Sequence, residues 1–308
     1  MPALEEPFPY HAPAGFQRGD VDTGEVRVNY WRRGAGRPLL VLHGVTDWGL
    51  DWARFARRVD VRLDCILLDQ RGHGYSDKPA QGYGNTDFAA DAWAVIRHLG
   101  LERPAVLGHS MGGGVALALA AAHPEAIDRL LLVDPAVWLD AAAGARPRAP
   151  VEQRRAALRE RQALGRRALV EQLRAARPVF DHEDAANTVE STLLASPFVY
   201  SDERAPDPAA QETQLRALRC PTLVVRGEPA RGAIISDAAA QRIREVVPDG
   251  LARVVQIAGT GHVPQREAFD LFVALTLPCL TGDTSMPEGE GGSPACFRHL
   301  IDDEGRLP

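Results

Sequence analysis

A chain of 308 residues, 45% of them hydrophobic, is long enough for one large α/β domain with an insertion, or for two domains. Its formal charge of −6 leaves no basic face to neutralise phosphates, which excludes a nucleic-acid partner. No stretch approaches the roughly 18 apolar residues of a membrane span, and residues 1–15 hold acids and prolines where a signal peptide needs an apolar run, so no membrane partner and a cytoplasmic location are expected.

The first predicted strand is Val26–Trp31, which alternates as a half-exposed strand does and ends at Gly34 and Gly36. Residues 38–42 are apolar throughout, the pattern of a strand covered on both faces, and 65–68, 105–107, 130–133, 222–225 and 253–257 repeat it. Helical spacing falls between most of them, at 51–59, 86–99, 111–123, 236–247 and 266–277. Buried strands alternating with helices predict a mostly parallel central sheet with helices on both faces.

Between Asp134 and Cys220 the rhythm breaks: Ala, Arg, Leu and Glu recur at helical spacing with no strand. The arginines from Arg146 to Arg177 fit a solvated helix face. This predicts a core of residues 1–136 and 218–280 interrupted by a helical cap at 137–217. Residues 281–308, rich in Gly, Pro and acids, are expected to form a flexible tail. The four cysteines, Cys65, Cys220, Cys279 and Cys296, match no metal-ligand spacing. Cys65 and Cys220 adjoin strands and read as reduced core residues, whereas a Cys279–Cys296 pair is left open.

The most telling segment is Gly108-His109-Ser110-Met111-Gly112, set between the strand 105–107 and the small-residue helix that follows. A strand–turn–helix with serine at its apex lifts the hydroxyl clear of the backbone, and the glycines avoid a Cβ in the crowded turn. The expected base is His262, in Ala258-Gly259-Thr260-Gly261-His262, directly after the last predicted strand. In a parallel sheet the carboxyl ends of strands share one edge, so Ser110 and His262 can meet there. His109 occupies the variable slot of the turn, where packing suffices to explain it. Two backbone N–H groups are expected to form an oxyanion hole: Met111, at the first turn of the helix, and Val45, in the loop His43-Gly44-Val45-Thr46-Asp47.

These motifs, with Asp69-Gln70-Arg71-Gly72-His73-Gly74-Tyr75-Ser76 in the expected order and spacing, resemble the α/β-hydrolase fold superfamily over about residues 20–280. The resemblance implies a serine hydrolase without a metal or organic cofactor, and gives Asp69 and Arg71 a structural role. It implies an acid a few residues beyond the strand ending at Val225, but Gly227-Glu228-Pro229-Ala230 puts alanine in that slot. Asp134, at the end of the preceding strand, is the first candidate; Glu228 is the alternative, with Asp237 or no acid beyond them.

The expected reaction is hydrolysis of a carboxylic ester or lactone through an acyl-enzyme on Ser110. The substrate is a small molecule whose apolar acyl part rests against Trp48 and Trp138, with Trp52, Phe180, Phe198 and Tyr200 nearby. Carbon–carbon bond hydrolysis by the same three residues is the second reading, and a non-catalytic receptor or scaffold of the same fold is the third.

Overall fold

The apolar runs become the strands of one sheet. The computed structural model describes residues 13–137, 149–178, 180–204, 207–248, 250–282 and, for the backbone alone, 306–307. Trp138, Cys296 and most of the tail expected to be flexible lie outside the described residues. The strands are β1 (Gln17–Asp22), β2 (Arg27–Gly34), β3 (Arg37–Leu42), β4 (Leu63–Asp69), β5 (Ala105–His109), β6 (Arg129–Val133), β7 (Thr222–Arg226), β8 (Ala252–Ile257) and β9 (Arg306–Leu307). They stand in the order β1-β2-β4-β3-β5-β6-β7-β8-β9. The β1–β2 and β2–β4 pairs are antiparallel and the rest parallel.

The helices in chain order are α1 (Ala53–Val59), α2 (Asn85–His98), α3 (Met111–Ala122), α4 (Val151–Ala163), α5 (Gly165–Ala176), α6 (His182–Leu194), α7 (Pro208–Ala217), α8 (Asp237–Val246), α9 (Pro264–Glu267) and α10 (Phe269–Thr281). Alternate strand residues serve opposite faces, which is why the central strands are apolar without a break. Leu40, Leu42, Ile66, Val106, Leu130 and Val224 cluster with Phe88 of α2, Val115 of α3 and Ile243 of α8. Leu39, Val41, Leu67, Leu107, Leu131 and Val225 cluster with Phe55 of α1 and Phe272 of α10. The thiols of Cys65 and Cys220 are buried and unbridged within these two clusters.

Several elements depart from the sequence reading: the helix expected at 266–277 is divided at Ala268, φ −136° and ψ 55°, into α9 and α10, and β9 falls within the tail expected to be flexible. Strand β1 was not foreseen because only Val21 of its six residues is buried; the others leave no alternation to read. The helix expected at 51–59 begins as a 3-10 turn, Gly49–Trp52, since Asp51 Oδ2 accepts the Trp48 N–H at 3.1 Å and tightens the start. Helix α7, inside the span 137–217 expected for the cap, belongs to the core layer: Leu215 joins the cluster of Val115 and Ile243, and Gln211 donates to the Ala136 carbonyl at 3.1 Å. Helices α4–α6 form the cap-like part, with a small apolar cluster of Leu169, Val170 and Val189. The cap-like part meets the core through Leu194 of α6, which packs on the core cluster, and through several polar groups. Arg54 pairs with Asp181 at 3.0 Å and Asp184 at 3.2 Å, Arg57 pairs with Glu183, and Asn187 Nδ2 donates to the Leu50 carbonyl at 2.8 Å.

The loop after β4 is held by buried charges. The Asp69 carboxylate accepts from Gly49 N at 2.8 Å, Tyr75 N at 3.0 Å, Asn29 Nδ2 at 2.8 Å and Trp31 Nε1 at 3.3 Å. Arg71 forms a two-point pair with Asp91, Nε–Oδ2 2.6 Å and Nη2–Oδ1 2.8 Å, with both side chains 2% exposed. Removing one partner of such a pair strands the other charge away from water. Asp91→Ala is therefore expected to lower stability by about 3–5 kcal/mol in urea unfolding, while Asp91→Asn, which keeps hydrogen-bonding atoms, should cost less.

Candidate active site

The site lies at the carboxyl edge of the sheet, where three loops leave neighbouring strands. The ladder runs one residue past β5 and β6: Ser110 N donates to the Val133 carbonyl at 3.0 Å and Asp134 N to the Val225 carbonyl at 2.7 Å. Ser110 and Asp134 are thereby fixed to rigid strands, not to free loops. Ser110 sits at φ 52°, ψ −114°, a conformation that costs on the order of 1–3 kcal/mol and persists because the surroundings enforce it. The enforcement is steric. A Cβ on Gly108 would lie 2.3 Å from the Gly112 oxygen, and one on Gly112 would lie 2.1 Å from the Leu42 oxygen.

His262 follows β8 by five residues and brings its Nε2 to 3.0 Å from Ser110 Oγ. Its Nδ1 lies 2.6 Å from Asp134 Oδ2. A carboxylate only accepts, so Nδ1 carries the proton and Nε2 offers its lone pair to the serine O–H. Asp134 is fully buried, and its charge is met by two further donors, Ile234 N at 2.8 Å to Oδ2 and Ile235 N at 3.1 Å to Oδ1. Those amides belong to the loop after β7, where the family resemblance implies an acid and this sequence has Ala230. Here the loop supplies N–H groups to an acid arriving from β6.

Glu228 is placed elsewhere. Its Oε1 accepts from Gly259 N at 2.8 Å and its Oε2 from Arg231 Nε at 3.1 Å, so it braces the loop that carries His262 without touching the ring. The Asp237 side chain is 84% exposed and pairs with Arg226. Among the described residues, no protein acceptor engages the N–H of Met111 or of Val45, whereas Gly112 N is taken by the His43 carbonyl at 3.1 Å. The arrangement can pass a proton from a serine hydroxyl to an imidazole and hold the resulting cation against a carboxylate.

The model of the alpha/beta hydrolase fold family matches residues 37–269. The chain belongs to that family. It is 34% identical over 114 residues to 2-(acetamidomethylene)succinate hydrolase of Mesorhizobium japonicum, covering 37% of this chain and 41% of that protein. It is 37% identical over 119 residues to 2-hydroxymuconate semialdehyde hydrolase of a Pseudomonas species, covering 37% of this chain and 42% of the relative. These matches thus span about two fifths of the curated relatives' length. The fold is shared with an esterase of Exiguobacterium antarcticum at TM-score 0.67 and 23% identity, over 85% of this chain and 98% of that one.

Around the candidate site, the expected pocket residue Trp48 is 1% exposed and packs in the core, its ring 6.2 Å from Trp31 and 6.0 Å from Tyr75. Trp52 is also buried, edge-on to Phe55 at 5.8 Å and to His109 at 6.3 Å. Phe180 lies under the Arg266 guanidinium at 5.1 Å. That guanidinium is buried with Asp51, 2.9 Å away, and donates to Thr188 Oγ1 of α6 at 2.7 Å. Burial raises the Asp51 carboxyl above its usual range, against the pull of Arg266. Sequence reasoning missed this cluster because Asp47, Asp51, Thr188 and Arg266 come from three separated segments and share no motif. His109 was assigned to packing, but the ring has polar partners: Nε2 contacts the His262 carbonyl at 3.0 Å, and Nδ1 lies 3.6 Å from Asp47 Oδ2.

His43, at the foot of the Val45 loop, donates from Nδ1 to the Gly44 carbonyl at 2.8 Å and accepts at Nε2 from Gln70 N at 3.1 Å. Both nitrogens are satisfied only in the neutral ring, and burial pushes its pKa down to about 4. The unfolded chain, with histidine near 6.5, takes up a proton that the folded chain refuses. The contribution of His43 is then fully present above about pH 6.5 and declines by about 1.4 kcal/mol per pH unit as pH falls toward 4. Urea unfolding of wild type and His43→Gln at pH 7, 6 and 5 should show the gap between them narrowing by that slope; a constant gap would refute it.

Proposed function

We propose that this chain hydrolyses a small carboxylic ester or lactone through an acyl-enzyme on Ser110. The observation that carries the reading is the continuous row from Ser110 Oγ through the His262 ring to Asp134, with contacts of 3.0 and 2.6 Å. In this reading His262 takes the serine proton as the oxygen attacks the carbonyl carbon, then returns it to the leaving alcohol. The Val45 and Met111 amides hold the oxygen that becomes negative, and the dipole of α3 adds to their field. Water activated by the same imidazole then releases the acid and frees Ser110. Asp134 keeps the imidazole in the right tautomer and balances its charge in the transition state.

The chemistry needs no metal or organic cofactor, and the proposed substrate carries an apolar acyl part. The likeness to 2-hydroxymuconate semialdehyde hydrolase keeps carbon–carbon bond hydrolysis as the second reading. Rates on a panel of p-nitrophenyl esters, lactones and β-diketones separate the two. Turnover confined to β-diketones would replace the first reading by the second.

Ser110→Ala is expected to abolish p-nitrophenyl ester hydrolysis and labelling by a fluorophosphonate, with Tm within a few degrees of wild type. Undiminished turnover would sink the assignment.

The acid is tested by comparing Asp134→Asn with Glu228→Gln. An asparagine at 134 has one oxygen for donors that use two, since Ile234 N and His262 Nδ1 share Oδ2 while Ile235 N takes Oδ1. Whichever way the amide turns, its NH2 meets a donor, and the negative charge that balances the imidazolium is gone. A comparable change in a serine protease costs about ten-thousand-fold. Asp134→Asn should therefore lower kcat by at least about a hundredfold and Glu228→Gln by less than about tenfold. The opposite ranking would transfer the acid's role to Glu228.

A further inference from the structure

His109 has a place in the site that packing does not account for. Its Nε2 lies 3.0 Å from the His262 main-chain oxygen, and since a carbonyl only accepts, that nitrogen carries a proton whether the ring is neutral or charged. The ring is 3% exposed, lies 4.9 Å from the His262 ring at an interplanar angle of 39°, and is backed by Trp52 at 6.3 Å. On its other side Nδ1 faces Asp47 of the loop after β3. Gly44 of that loop closes against both: a Cβ there would stand 2.7 Å from Asp47 Oδ2 and 3.1 Å from His109 Nδ1. Three segments therefore meet on one imidazole: the serine turn that carries it, the His262 loop and the loop that holds Val45.

The His262 loop is otherwise anchored by Glu228 and Glu267. Glu228 holds Gly259 N, Glu267 holds Gly261 N, and Glu228 N donates to the Thr260 carbonyl at 2.8 Å. Among the described residues, the His109 bond is the one that ties the main chain of His262 itself to the residue next to Ser110.

We propose that His109 is a positioning residue whose Nε2–H···O bond to His262 sets the distance between the His262 ring and Ser110. The proposal rests on the serine-hydrolase reading above. A displacement near 1 Å at a reacting pair costs on the order of a hundredfold in rate, so one bond that fixes the main chain of the base has a large lever.

The test uses three variants and p-nitrophenyl butyrate. His109→Gln places an amide N–H where Nε2 was; His109→Asn, of similar chemistry, reaches only as far as Nδ1; His109→Phe fills the space and donates nothing. His109→Asn and His109→Phe are expected to lose roughly ten- to a hundredfold in kcat with KM within about twofold, and to label more slowly with a fluorophosphonate. His109→Gln should restore kcat to within about threefold of wild type. Wild-type kcat in His109→Phe, equal losses in Gln and Phe, or a loss confined to KM would each overturn the proposal. Should His109→Phe fail to fold, the Gln–Asn pair decides alone. Ser110→Ala, measured alongside, separates the two claims. If it stays active, the serine-hydrolase reading has failed; if it is dead while His109→Asn and His109→Phe turn over normally, only the role of His109 has.

Discussion

The hydrogen bonds from Ser110 N to the Val133 carbonyl and from Asp134 N to the Val225 carbonyl carry the sheet ladder one residue beyond β5 and β6. Everything at the site is measured from that edge. Parallel strands in register put the ends of β5, β6, β7 and β8 level, so residues distant in sequence emerge side by side. The positive φ angles of Ser110 and Asp134, 52° and 36°, are tolerable because these bonds and the packed glycines leave the chain no relaxed alternative. Strain of this kind directs two side chains toward one point at a cost that the large sandwiched core absorbs.

The electrostatics follow from burial at the same edge. A carboxylate that is fully buried needs several donors, and Asp134 has them from Ile234, Ile235 and His262. The loop after β7 thus remains part of the arrangement although it lacks the acid. Its residues contribute amides to Asp134, while Glu228 at its start holds the loop bearing His262. The carboxylate behind the imidazole comes from the end of β6, and the loop after β7 supplies its donors.

How much of this could be read in the sequence depended on whether the cause was local. The central strands were legible because both their faces are buried, and Ser110 because strand, tight turn and helix are adjacent in the chain. His262 was legible from its place after the last strand. The choice between Asp134 and Glu228 was not, since it turns on where residues 229–235 run, and nothing local to either carboxylate specifies that path. Strand β1 hid behind polar residues at the sheet edge. Helix α7 carried the same Ala- and Arg-containing pattern as the cap helices, and only its contacts with Ala136 and the Val115 cluster assign it to the core. The polar role of His109 was invisible for a related reason: its partner is a main-chain carbonyl, which no side-chain pattern records.

The attachment of α6 has an evolutionary corollary. Helices α5 and α6 share a small apolar cluster of their own, and α6 meets the body of the protein through Leu194, which packs on the core, and through Arg54, Arg57, Arg266 and the amide of Asn187. Hydrogen-bonded and ionic seams tolerate exchange one pair at a time, whereas an interdigitated apolar seam demands simultaneous repacking. Those ionic contacts of α6 can accordingly be exchanged by successive single substitutions without repacking the sheet.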